Sequence, residues 1–231
     1  MNDPAGPRRV AVFGGHGKTG RAVIAALIER GAEPVPLGRA EWPALGTALI
    51  GCQAACVIAP NLHPDEPDYV ATVLGALTRA GVPRVVYHSV ASPYAPDMPH
   101  HVGKARSEDL VRRSGLSWTI LQPGAYRENL DLSGPTVTVP YDVDAVFGFL
   151  DLADLGAVAA TVLLDASHAG ATYELATRQA TVRELAAECG LTAQQVPNEV
   201  EHPWLRAMFD YYDRHGLPVG LGVLRHLLGS R

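Results

Sequence analysis

The feature that most restricts this chain comes near its start. A β-branched and aromatic run, Arg9 to Phe13 (RVAVF), passes through GGHGKTG into RAVIAALIERG, where Val23, Ile24, Leu27 and Ile28 recur at helical spacing. The hydrophobic period therefore switches from strand to helix across a glycine turn. Gly14, Gly17 and Gly20 spell G-x-x-G-x-x-G, while Gly15, Gly17 and Gly20 satisfy G-x-G-x-x-G, so spacing leaves the frame open. In either frame one glycine permits a positive φ, one lets the backbone approach a diphosphate, and one packs helix against strand. The helix N-terminus adds free N–H groups and the positive end of its dipole. Such a turn is either a tight connector or the cradle of a dinucleotide; its place at the head of an alternating α/β chain favours the cradle.

The alternation continues. Glu33 to Leu37 (EPVPL) reads as a strand whose prolines place it at or near a sheet edge. Trp42 to Ile50, Tyr69 to Ala80 and Gly103 to Arg113 read as helices; Ala54 to Ile58, Arg84 to Ser89 and Trp118 to Leu121 read as strands. Apolar strands without polar alternation mean burial on both faces, which predicts a Rossmann-type doubly wound parallel sheet between helices. After Pro123 the pattern turns irregular, with a long helix from Asp151 to Leu164, a strand over Thr172 to Leu175, a helix opened by Thr181 with Glu184 three residues on, and an aromatic-rich helix over Pro203 to His215. The expected organisation is one domain over 1–231, with 125–231 contributing a small substrate-binding lobe.

Composition excludes several classes. With 19 basic and 24 acidic residues the net charge is −5, which lacks the basic face that nucleic acid requires. Three cysteines in apolar contexts do not make a disulfide scaffold, and neither they nor His16, His63 and His88 show metal-ligand spacing, so no metal is expected. No apolar run approaches a membrane span, and MNDPAGPRR does not lead into an export signal, so the expectation is a cytoplasmic protein. Gly17-Lys18-Thr19 imitates the end of a P-loop, but the first glycine of that motif falls on Val12 inside the strand. Lys18 either reaches a cofactor phosphate or solvates the first helical turn. At the end of the second strand, where an acid would hold a ribose 2′-hydroxyl, stand Gly38 and Arg39; a guanidinium there suits a 2′-phosphate and points to NADP(H) over NAD(H), with Glu41 close enough to touch ribose.

GGHGKTGR, RVVYHSVAS and above all SGLSWTILQPGAYRENL (Ser114 to Leu130) resemble the NmrA-like, NAD(P)-binding family of atypical short-chain dehydrogenase/reductases, and the resemblance continues through FLDLADLGAVAATVLLD, AGATYEL and YYDRHGLP. It implies a Rossmann fold, NADP(H) along Gly14, His16, Gly17, Lys18, Thr19 and Gly20, and a cofactor groove lined also by Ala59, Pro60, Ser89, Lys104, Pro123 and Gly124. The chain departs from the family in three ways. Only two residues separate Arg39 from Trp42, so an outer strand is missing; Gln122 replaces the usual Arg before Pro-Gly; and the Tyr-x-x-x-Lys pair reads His100-x-x-x-Lys104, beside His101.

Hydride transfer to a carbonyl, enone or quinone needs an oriented cofactor, an acid and positive charge to tune that acid. His100 and Lys104, four apart on one helical face, are the candidates, with Ser89 as a hydrogen-bond donor to substrate. The bland alternative leaves His100 and His101 as solvated loop residues, Lys104 as a ribose anchor and Ser89 as a partner for strand-end backbone. Tyr126 and the stripe Trp204, Met208, Phe209 and Tyr212 are expected to close over a flat apolar substrate or merely to pack. An NADP(H)-dependent reductase of a small molecule is the first expectation; a dinucleotide-binding redox sensor without turnover and a non-redox isomerase or tailoring enzyme are the alternatives.

Overall fold

The computed structural model describes residues 8–229; the start of the MNDPAGPRR segment considered above, residues 1–7, lies outside them. Six parallel strands form the central sheet in the order β2-β1-β3-β4-β5-β9. These are β1 (Arg9–Phe13), β2 (Glu33–Leu37), β3 (Ala54–Val57), β4 (Arg84–His88), β5 (Ser117–Pro123) and β9 (Thr172–Leu175). The helices of this part are α1 (Lys18–Glu29), α2 (Leu45–Ala48), α3 (Glu66–Arg79), α4 (Pro99–Arg112) and α5 (Leu152–Leu164). The strand order reverses between β1 and β3, and the carboxyl ends of strands at such a reversal are where α/β sheets bind ligands.

β2 pairs only with β1, so Pro34 and Pro36 sit on an edge where their missing N–H groups cost no ladder bond. Among the described residues nothing pairs on its outer side, in keeping with the missing outer strand. One sheet face packs on α1 and α5 through Leu27, Leu155, Val158 and Val162. The other packs on α3 and α4 through Val70, Val73, Leu77 and Val111. Each fully buried leucine of these layers contributes about 1.5–3 kcal/mol. α1 and α5 approach closely because Gly156 has no side chain; a Cβ there would lie 2.5 Å from Ala22 O.

Two helices differ from expectation. The helix expected over Trp42 to Ile50 is a 3-10 segment, Arg39–Ala44, running into the single turn of α2, because Pro43 lacks the N–H that would continue an α-helix. α4 starts earlier than expected, with Pro99 in its first turn, where a missing N–H is tolerated. His100 and His101 are thereby helical and buried, not solvated loop residues.

Beyond β5 the chain builds a second cluster. β6 (Ala125–Tyr126), β8 (Phe147–Leu150) and β10 (Arg178–Ala180) form a three-stranded sheet, and β7 (Thr136–Val139) pairs with β11 (Thr192–Gln195). α6 (Val182–Glu188) carries the expected capping box, Thr181 with Glu184. α7 (Pro203–His215) spans the expected helix; its Tyr212 packs against Tyr141 and Phe147, with Met208 and Phe209 at the margin of that core. α8 (Gly222–Leu228) returns to the central sheet beside α5. No helix among the described residues is long and apolar enough to cross a membrane.

Candidate functional site

The glycine turn resolves the frame. Gly14 adopts φ +73°, and a Cβ on it would meet Ile58 O at 2.7 Å, just past the end of β3. A Cβ on Gly20 would lie 2.2 Å from Gly14 O, and one on Gly15 would lie 2.9 Å from Pro36 Cα, so both residues are packed against backbone. Gly17 differs. It caps α1 with an ordinary φ of −77°, and a Cβ there would meet only Gly14 O at 3.3 Å. The working glycines are Gly14 for the turn, Gly17 for open approach and Gly20 for packing. No side chain caps α1, no acid stands in its first turn, and the amides of Lys18, Thr19 and Gly20 meet no acceptor among the described residues. Three unpaired N–H groups at a positive dipole end make an anion site formed by backbone alone.

At the end of β2 the exposed Arg39 opens the 3-10 segment. Glu41 turns back to accept from Gly38 N at 2.6 Å, which holds its carboxyl below the usual carboxylate range. The His16 ring lies on Gly38, with Nε2 3.4 Å from Glu41 Oε2, so His16 belongs to this corner and not to the diphosphate cradle. Lys18 does not simply solvate its turn: its ammonium reaches Asn129 Oδ1 and stands 5.9 Å from the centroid of the Tyr126 ring. That links the glycine turn to the segment after β6.

Ala59 and Pro60 follow β3 as expected, at the strand reversal. Pro123 ends β5 and is buried. Gly124 is a packing glycine, not an open one, since a Cβ would fall 2.0 Å from Gly148 O in β8.

The expected catalytic side chains are placed differently from expectation, because the sequence could not show their partners. Ser89 is buried and spends its hydroxyl proton on Glu108 Oε1 at 2.6 Å, which leaves it no proton for a substrate. The Lys104 ammonium lies 2.7 Å from Glu66 Oε1 and 3.3 Å from His88 O, so an ion pair already compensates its charge. Burial first, and the Lys104 charge second, bring the His100 imidazole down to about 4. At neutral pH it is uncharged, so the expected imidazolium acid is not there. An ammonium has three N–H donors, however, and Lys104 uses two, leaving one.

Several residues in this cluster were not expected in the site from the sequence, Gln122 having been noted only as a departure from the family. Tyr87 Oη donates to Glu66 Oε1 at 2.6 Å. Gln122 Nε2 donates to Glu108 Oε1 at 2.7 Å, and Arg112 lies 3.0 Å from Glu108 Oε2. Alternation along β4 sends Tyr87 and Ser89 toward α4, while His88 on the opposite face hydrogen-bonds Tyr126 Oη. The His88 imidazole is brought down to about 3, mainly by burial. One signal was available: His100, Lys104, Glu108 and Arg112 repeat every four residues and mark a polar stripe on a helix that must pack on a sheet. Glu66 gave none, because an acid beside the capping Asp65 looks like ordinary helix-end chemistry.

A parallel sheet whose strand reversal carries a glycine-built anion cradle, with the exposed Arg39 at the end of β2, defines a dinucleotide-binding α/β protein. Residues 38–166 match the NAD(P)H-binding family model, over half of the chain, and the chain belongs to that family. It is 29% identical over 143 residues to NAD(P)H azoreductase of Xenophilus azovorans (59% of this chain, 49% of that protein). It is 31% identical over 155 residues to quinone oxidoreductase 2 of Escherichia coli (63% of this chain, 53% of that protein). The chain thus spans about half the length of the curated relatives it matches. The fold is that of triphenylmethane reductase from Citrobacter sp., solved with NADP(H) (TM-score 0.79, 20% identity, 96% and 95% of the two chains). It is also that of NmrA, a negative transcriptional regulator solved with NAD (TM-score 0.77, 18% identity, 97% and 92%). The resemblance to NmrA-like proteins is borne out in the fold, and that to NAD(P)-binding proteins in the family match.

Proposed function

We propose that this protein is an NADP(H)-dependent oxidoreductase that reduces a quinone, enone or carbonyl. The observation that carries the reading is the row of free amides on Lys18, Thr19 and Gly20 behind Gly17, at the strand reversal, with no side chain at Gly17 to cover them. That cradle fits a diphosphate in charge and room. Arg39 is available for a 2′-phosphate, and Ala59 and Pro60 border the groove beyond the reversal. The reductases among the relatives support the same chemistry.

When bound, the nicotinamide would supply the hydride. The chain's own contribution is positional and electrostatic. Glu66 and the His88 carbonyl fix the Lys104 ammonium; its third N–H would donate to the oxygen that becomes negative as the carbonyl is reduced, and water would supply the proton that completes the alcohol. His100 stays neutral beside it and orients substrate without delivering a proton. Residues 125–231 supply the lobe that covers the substrate, with α7 meeting α4 where Tyr212 packs edge-on against His101. Calorimetric titration with NADPH and NADH tests the reading: NADPH should bind the tighter, and failure of both to bind at millimolar concentration would overturn it.

A further inference from the structure

The first turns of α3, α4 and α7 converge on a cavity of about 470 Å3, whose wall includes His63, Asp65, Glu66, His100, Arg106 and Trp204. Three helix starts bring three positive dipole ends to one place. The α3 start is answered within the chain, since Asp65 caps it by accepting from Asp68 N, and Glu66 and Asp68 stand in its first turn. The other two are not. α4 opens with Pro99 and α7 with Pro203; neither has a side-chain cap or an acid in its first turn, and the amides of His100 and Trp204 meet no acceptor among the described residues. The side chains point the same way. His100 is 8% exposed, yet neither of its ring nitrogens has a hydrogen-bond partner among the described residues and neither is sealed from solvent, so the imidazole stands unpaired against the cavity. A buried polar group without a partner in the chain marks the place of one from outside. Arg112 and Arg113 of α4 are paired with Glu108 and Asp109, whereas the exposed Arg106 has no carboxylate among the described residues. His63 Nδ1 accepts from Asp65 N at 3.1 Å, which leaves its Nε2–H as a donor on the same wall. The acids of the wall are spent: Asp65 is turned to Asp68 N, and Glu66 is matched by Lys104, with its second oxygen sealed from solvent and so from the cavity.

We propose that this cavity binds an aromatic carboxylate, the carboxylate received by the Arg106 guanidinium and a His100 N–H and the ring covered by Trp204. A guanidinium presents parallel N–H groups that match the two oxygens of a carboxylate, whereas a neutral amide offers one oxygen and an NH2 group that has no acceptor to meet. A cation fits worse, because it would face Arg106 and two positive helix ends. The half-buried Trp204, in the first turn of α7, supplies a flat apolar face for the ring. His100 has the task of orienting substrate in the reading above, so the carboxylate belongs to the substrate, and in that respect the inference rests on the oxidoreductase reading. The carboxylate is a handle and is not itself reduced; the reducible group lies elsewhere on the same molecule.

The test is calorimetry on the full chain, with and without NADPH, using 2-naphthoate and 2-naphthamide, which share ring and shape and differ in charge. The wild type should bind the naphthoate about tenfold more tightly, the scale of one hydrogen bond between charged partners. Arg106→Gln, at an exposed position, should erase that preference with little change for the amide. Arg113→Gln removes a cation further along α4, outside this cavity, and should leave the preference intact. His100→Phe keeps a ring, removes both nitrogens and should weaken the naphthoate several-fold, while Trp204→Ala should weaken both ligands and leave their ratio unchanged. Equal affinity for the two in the wild type overturns the proposal, as does a preference that survives Arg106→Gln, a naphthoate affinity that His100→Phe leaves unchanged, or a loss with Arg113→Gln as large as with Arg106→Gln, which would mean a general field and no site. Should His100→Phe fail to fold, the two exposed arginines decide. Naphthoate selectivity without NADPH binding sinks the oxidoreductase reading alone, whereas NADPH binding without that selectivity sinks the carboxylate site alone.

Discussion

At the glycine turn the polar groups are backbone amides left free at the start of α1, whereas behind β4 they are side chains drawn from α3, α4, β4 and β5 and buried in pairs. The first region has no buried side-chain charge to compensate, and its N–H groups stand unpaired at a positive dipole end. The second has matched most of its charges internally, although Glu66 Oε2, Glu108 Oε2, His88 Nδ1 and His101 Nε2 are buried without a hydrogen bond and the Lys104 ammonium keeps one free N–H. Substitution in the backbone-built region should therefore divide cleanly into packing and ligand effects. In the side-chain-built region stability and function should fall together.

The largest effect is expected in the second region. Lys104→Ala leaves Glu66 buried and unpaired and should cost about 3–5 kcal/mol of stability, read as a lowered urea midpoint, with loss of any reductase turnover. Retained stability would mean that the cluster is hydrated and the contrast false. Gly20→Ala comes next: its Cβ would fall 2.2 Å from Gly14 O, an overpacking expected to cost about 3 kcal/mol in thermal unfolding.

Acid sharpens the comparison without mutation. His100 and His101 are both held to about 4, chiefly by burial, against an ordinary 6.5. Groups depressed in the folded state contribute stability that is complete above about 6.5 and is lost as pH falls toward about 4, where the unfolded chain takes up protons the folded chain refuses. The loss should approach about 1.4 kcal/mol per histidine per pH unit in that window, checked by urea midpoints at a series of pH values. A flat profile would show that water reaches both rings.

Gly17→Ala offers the opposite case to Gly20→Ala three residues away. With an ordinary φ and a nearest contact at 3.3 Å, it should change stability by under about 1 kcal/mol, yet weaken NADPH about tenfold by placing a methyl in the cradle. Equal loss of stability in the two variants would remove the distinction between packing and approach. Arg39→Ala should have the smallest effect: no change in melting temperature, and a several-fold loss of NADPH affinity with NADH unaffected, measured by titration.

What could be read from the sequence follows the range of the forces involved. The period switch at Phe13, the edge prolines of β2, the Thr181–Glu184 cap and the glycine turn are all set within a few neighbouring residues, and each appears in the structure where the sequence put it. Local geometry is encoded locally, since φ freedom, periodicity and capping depend on near neighbours. The start of α4 was misplaced because Pro99 reads equally as loop or helix opening until tertiary packing chooses. The states of Ser89, His100 and Lys104 were decided by partners far away in the chain: Glu108 for the serine, Glu66 for the lysine, and burial against neighbouring elements for the histidine. Residue type determined what these groups are able to do. Only the folded structure, by fixing which charges meet and which are cut off from water, decided what remains free to act.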